Sequence, residues 1–340
     1  MAGKRLAGWN LPEMGGKTML TKLLATTATL LAIATPGVTQ EALKAAMTAA
    51  MGEAIEDPRY ADILATYGLD APDLSDPTLV NTKDHPYPDV ASGTLLNHVI
   101  DSKTLRLGWI AVGAPWSVPG ADPAEPVGLS VDYWGIVREK MSAHYNTDIT
   151  LDWVEFTEET GNNNMYRWLA TSDDLDCTAD GRQTDGCYDI IGGAYAINAR
   201  RKGISDITPA YYPLNMSVVR TNVPLPDGVG PLDTAEQIRA AMADPDINLV
   251  LAGLPDTGED TILTNMGEEM GGTFTHADRT PGSNVLEFAQ NSTDIHFVLG
   301  TNVRMASTRF KNPEFCSNCA FIPNLLVFGG VGFATALPKE

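Results

Sequence analysis

Positive charge is what this chain has least of. Its 340 residues hold 23 Lys and Arg against 43 Asp and Glu, a formal net charge of −20. Nucleic acid and anionic membrane surfaces are gripped through basic patches, so the balance argues against both as partners. Clustered chemistry is also lacking. The five histidines, His85, His98, His144, His276 and His296, are scattered. No Ser/His/Asp grouping, phosphate loop or metal-spaced His set appears, so no catalytic residue, metal or cofactor is assigned and the chain reads as a non-enzyme. Long apolar runs are missing too. The apolar run Leu23–Ala34 is too short to span a bilayer, and no other segment is apolar for long enough.

That run follows Lys22 and precedes small residues, with Ala32-Ile33-Ala34 as a cleavage site. The pattern fits a secretory signal and an exported, periplasmic protein, with residues 1–40 as the targeting segment. An N-terminal core helix is the alternative. Four cysteines are few but locally paired. Cys177 and Cys187 flank the turn-rich "CTADGRQTDGC" and are expected to bridge. Cys316 and Cys319, in the Pro- and Asn-rich "FKNPEFCSNCAFIPN", read as a structural disulfide. Reduced thiols, or half a redox or metal site, are the alternatives.

After the targeting segment, "EALKAAMTAAMGEAI" places Leu43, Met47, Met51 and Ile55 at i+4 spacing. Pro58 and Gly68 bracket a second short helix, "RYADILATYG", with Gly68 as its C′ residue. Residues 70–104 read as a Pro-rich linker. From Leu105 onward, apolar strands such as "LRLGWIAV", "YDIIGGAY", "INLVLAG" and "DIHFVLG" alternate with helical patterns such as "VDYWGIVREKMSAHY" and "TAEQIRAAMAD". Alternation of this kind means mostly parallel sheets flanked by helices. There are too many units for one lobe, so the fold class is α/β with two lobes and a cleft between them.

Particular phrases carry a family likeness. "LRLGWIAVGAPWSVPGADPAEPVGLSVDYWGIVREK" and "YDIIGGAYAINARRKGISDITPAYYPLNMSVVRTN" resemble type 2 periplasmic solute-binding proteins, extracellular family 3, the polar amino-acid importer group. "PLDTAEQIRAAM", "STDIHFVLG" and "GGVGFATALPKE" resemble later phrases of the same family. The resemblance implies a two-lobed fold, with lobe 1 at 105–221 and 320–340 and lobe 2 at 222–319. Family members end on helices closing with a Tyr-Gly phrase. Here "DPRYADILATYGLD" stands near the front, so residues 41–69 are expected to be those helices, circularly permuted and packed on lobe 1.

The resemblance also implies a site. Arg201 falls on the family arginine that grips a ligand carboxylate with its planar fork, with Arg200 as the competing assignment. Ala196 and Asn198 lie in the turn that offers backbone donors to the same group. Trp116 falls on a cleft aromatic and is as readily core. Asn162, Asn163 and Asn164 line a polar pocket or cap a helix beginning near Met165. Thr257 is the candidate hydroxyl of the second lobe. The family's ammonium-pairing Asp is missing, with Glu259 or Asp260 as substitutes. The expected function is capture of a small carboxylate- or amino-acid-like solute for an ABC-importer permease. The alternative is a ligand-free accessory subunit of a periplasmic or membrane complex, like that of methanol dehydrogenase.

Overall fold

Alanine and unbranched side chains dominate residues 41–55, and these are strong helix formers. They lie in α1, Gly37–Glu56. After it comes α2, Pro58–Thr66, capped by Asp57, whose carboxylate accepts the Arg59 N–H at 3.0 Å. Pro58 fills the first helical position, where an N–H has no partner to meet. At the other end the N–H groups of Gly68 and Leu69 donate to the carbonyls of Ala65 and Leu64, each at 3.0 Å. That is a Schellman closure, and it sets Gly68 at φ +71°.

The computed structural model describes residues 37–81, 83–110, 115–122, 125–156, 162–171, 173–175, 187–196, 199–255, 259, 262–264, 274–279 and 284–338. The targeting segment at 1–40 falls outside these, except for the residues that open α1. Within the span read as a linker, residues 95–102 form a helix, α3, Leu95–Ser102, capped by Thr94. Leu95, Leu96 and Val99 on α3 are fully buried. A Thr cap followed by apolar residues at helical spacing outweighs the Pro-rich composition around it.

Strands β1 (Thr104–Trp109), β4 (Thr150–Glu155) and β5 (Ile190–Ala196) run parallel, in the order β4-β1-β5. A small ribbon, β2 (Val118–Pro119) with β3 (Pro126–Val127), leads into α4, Leu129–Tyr145. Arg106 ties β1 to β5: its guanidinium meets Asp189 at 2.7 Å, and its N–H donates to the same carboxylate at 2.8 Å. Asp189 has no exposed surface, so the pair supplies the hydrogen bonds a buried carboxylate requires. Gly108 is needed because a Cβ there would stand 2.5 Å from the Tyr188 ring. In place of the helix expected from Met165, the chain makes a 3-10 helix over Asn162–Trp168.

Beyond β5 come α5 (Ala199–Ile204), β6 (Ser205–Ile207) and β7 (Tyr212–Arg220). Then follow α6 (Ala235–Ala243), β8 (Val250–Gly253), β9 (Thr275–Asp278), α7 (Val285–Asn291), β10 (Phe297–Thr301), α8 (Asn302–Lys311) and β11 (Ala320–Pro338). Among the described residues the main hydrogen-bonded path is β4-β1-β5-β11-β7-β10-β8-β9, with β6 on β11. It runs unbroken because β7 and β11, antiparallel to each other, continue from one lobe into the other.

The cores are nevertheless separate. One gathers Leu43, Met47, Met51, Tyr60 and Leu64 with Leu95, Leu105, Leu107, Tyr133 and Trp134. The other side holds Met216, Ile238, Leu251, Phe297 and Leu299, with a neighbouring group around Val298 and Met305. The passage between cores falls inside β7, between Leu214 and Met216, ahead of the boundary at 221. Helix α8 belongs to both sides: Val303 packs in the first core and Met305 with the second lobe. At its far end Lys311 Nζ lies 4.5 Å from the Tyr67 ring centroid.

Candidate functional site

The strand registers show where the lobes face each other. β7 begins in the first lobe, where Tyr212 pairs with Phe333, and ends in the second. On β10, Thr301 pairs with Met216 and Phe297 with Arg220. The C-terminal end of β10 is therefore the end nearest the first lobe, and β8 and β9 run parallel to it. On the other side, Ala196 pairs with Phe333 and Ile191 with Ala336 of β11. The C-terminal end of β5 is thus the end nearest the second lobe. Both lobes turn the carboxyl ends of their parallel strands toward one interlobe cleft, where open α/β sheets bind ligands.

On the first edge stands Arg201, in α5 just past β5. It is 8% exposed, and its guanidinium carbon lies 4.2 Å from the centroid of the Tyr195 ring. Stacking on an aromatic face fixes the plane of the guanidinium and reduces the rotamer freedom lost on binding. Ala196 ends β5 at this edge. Trp116 is 3% exposed and packs in the first core. Asn198 and Thr257 lie outside the described residues, as do Asp260 and Cys177. For Asn162–Asn164 the structure describes the backbone only. Cys187 is buried, and Cys316 and Cys319 are joined as a disulfide across a four-residue turn.

The second edge carries a group with no local signature in the sequence. Arg279, just past β9, donates from Nη2 to Oε2 of Glu259 at 3.1 Å. The Leu254 N–H, just past β8, donates to the same oxygen at 3.0 Å. Arg304, in the first turn of α8, reaches the other oxygen, Oε1, at 3.5 Å. The side chains of Arg279 and Glu259 are 2% and 6% exposed, and that of Arg304 is 23% exposed. Burial holds the Arg304 guanidinium below its ordinary pKa. Glu259 opposes this shift and the neighbouring charge of Arg279 adds to it. Glu259, read from sequence as a partner for a ligand ammonium, is already engaged by two guanidiniums and a backbone N–H.

Two cavities lie elsewhere in the described structure. One of about 270 Å³ is lined by Met305, Phe315 and the Cys316–Cys319 disulfide. The other, about 730 Å³, is an open groove between α1 and β6 lined by Glu41, Lys44, Ser205 and Asp206. Neither includes Arg201 or Arg304. The strand registers, rather than cavity size, mark the carboxyl ends of both lobes' parallel strands as the candidate site.

No family model matches the chain, and no curated protein matches it. Solved structures do. The Plasmodium falciparum protein PfVFT1 superposes with a TM-score of 0.57 at 14% identity, over 90% of this chain and 98% of that one. An ancestral cationic amino acid solute-binding protein gives 0.46 at 14% identity, over 73% and 87%. An ancestral cyclohexadienyl dehydratase gives 0.37 at 12% identity, over 74% and 86%. At these identities the likeness shows the fold, and the first of the three carries it. The chain has the two-lobed fold of type 2 periplasmic solute-binding proteins.

Proposed function

We propose that the protein is an exported solute-binding protein. Its lobes close over a small carboxylate- or amino-acid-like solute, and the closed form delivers it to the permease of an ABC importer. The observation that carries this reading is Arg201: a nearly buried guanidinium stacked on Tyr195 at the first lobe's cleft edge. A planar fork held in one orientation suits bidentate capture of a carboxylate. The fold supports binding without specifying chemistry, since function resides in the site rather than the scaffold.

A second reading, a ligand-free accessory subunit, is favoured by α8. That helix packs with both cores and meets Tyr67, so it ties the lobes together. A thermal-shift screen of the secreted protein against amino acids, carboxylates and polyamines separates the two. A solute at a hundred times its Kd raises stability by about 2.7 kcal/mol, whereas an accessory subunit gives no response to any of them.

A further inference from the structure

The cavity of about 270 Å³ beside the Cys316–Cys319 disulfide belongs to the second lobe. Two of its lining residues, Val219 and Phe321, are paired with each other across β7 and β11. Val219 also pairs with Val298, near the start of β10. The end of β10 nearest the first lobe is the opposite one, so this cavity and the interlobe cleft are different places.

Leu286 reaches the cavity from the first turn of α7, and Met305 reaches it from α8. Both pack in one apolar cluster with Val219. The turn at 313–319 covers them. Its disulfide closes it, and the Cys316 N–H donates to Oε1 of Gln290 on α7 at 2.7 Å. Cys316 stands at φ +53°, a left-handed backbone that a residue with a side chain keeps only when its surroundings impose it. The cover is thus fixed by its own bonds, and a pocket set in advance loses less freedom on binding.

Inside, Leu286, Phe315, Phe321, the Met305 thioether and the disulfide sulfurs suit an aromatic ring, because sulfur and ring edges are favourable neighbours of a π-face. Arg309, in the last turn of α8, is the one charged residue among the described lining residues. It is exposed and makes no ion pair among the described residues. Glu314, in the same turn as the disulfide, does not line the cavity. Within a chain of net charge −20, an arginine without a carboxylate beside an apolar cavity offers its fork to an external anion. The volume lies below the roughly 300–1,000 Å³ of pockets for drug-sized ligands, which limits the occupant to about a single ring.

We propose that this cavity is a second small-molecule site, and that it takes a small aromatic monocarboxylate. The ring lies against Leu286, Met305 and Phe321, and the carboxylate meets Arg309. The site is independent of the cleft and of whatever solute the cleft takes.

Titration calorimetry with phenylacetate, the neutral 2-phenylethanol and the cationic 2-phenylethylamine tests this. The proteins are the wild type, Arg309→Gln and Arg201→Ala, with thermal unfolding to check that each variant is folded. Phenylacetate should bind the wild type about fivefold or more tightly than either relative, a comparison that needs no variant. Arg309→Gln should weaken phenylacetate by about fivefold or more and leave 2-phenylethanol within about twofold, while Arg201→Ala leaves phenylacetate within about twofold. No binding of phenylacetate, binding no tighter than that of its relatives, or unchanged affinity in a folded Arg309→Gln overturns the site. Affinity lost in Arg201→Ala instead places the compound in the cleft, which also overturns the second site while supporting the solute-binding reading.

Discussion

Gly68 shows how one residue serves two demands. It closes α2 with φ +71°, a backbone region in which a side chain is strained. A Cβ there would also stand 2.3 Å from the Cβ of Phe310 on α8. That atom is the root of the Phe310 side chain, so rotating the ring gives no relief and the helices must shift. Gly68→Ala is therefore expected to cost about 1–3 kcal/mol in chemical denaturation. A loss of only a few tenths would mean that α8 and α2 separate freely.

His296 sets a pH dependence. Its Nδ1 accepts the Val250 N–H at 2.9 Å, which requires a neutral ring. Burial is the main cause of its lowered pKa. The sign follows: the unfolded chain binds the proton more readily, near pH 6.5. The stabilisation is complete above that value and is lost as pH falls toward the lower folded pKa. Melting temperature should decline between pH 7.5 and 5 by more in the wild type than in His296→Asn. Parallel profiles would remove His296 from the account.

Among helices, those with apolar residues at one helical spacing or a clear cap are legible in the sequence and those without are not. The Leu43, Met47, Met51, Ile55 stripe of α1 and the Thr234 start of α6 stand plainly in the sequence, and α6 carries a full capping box with Gln237. Helix α8 does not. Its buried residues, Val303, Met305 and Ser307, fall two apart because they serve cores on opposite sides. No single helical stripe results. β9 is a short polar edge strand, so its apolar signal is weak. The site divides in the same way. Arg201 is assigned through a phrase whose residues are adjacent in the chain. Glu259, Arg279 and Arg304 come from distant segments, and only the sheet registers bring them together.

The leading helices pose a question at the same scale. α1 and α2 pack in the first lobe's core, and the first and last described segments both lie near β6. Pro338 pairs with Ser205, Lys44 meets Asp206 at 3.6 Å, and Glu41 and Ser205 line one groove. The PfVFT1 match spans 90% of the chain, more than residues 105–340 alone comprise, so it takes in much of this leading part. We propose that α1 and α2 are terminal helices relocated by circular permutation, which is tolerated where ends are close and exposed. Deleting 37–69 should destabilise the first lobe by several kcal/mol, since a buried apolar face is lost. Joining the same segment after residue 340 through a short linker should restore the melting transition. A deletion that melts like the wild type would make the helices an appendage.

The whole molecule combines a net charge of −20 with a two-lobed fold whose cleft edges carry Arg201 and Arg304. Net charge sets solubility and says little about a local site. What decides function is whether the cleft closes on a solute held by Arg201. The direct measurement is titration calorimetry of the wild-type protein and Arg201→Ala with a solute chosen by the thermal-shift screen. Arg201→Ala should lose about 2–5 kcal/mol of binding free energy, because a desolvated carboxylate loses its charged partner. Affinity unchanged in a folded Arg201→Ala would contradict the assignment.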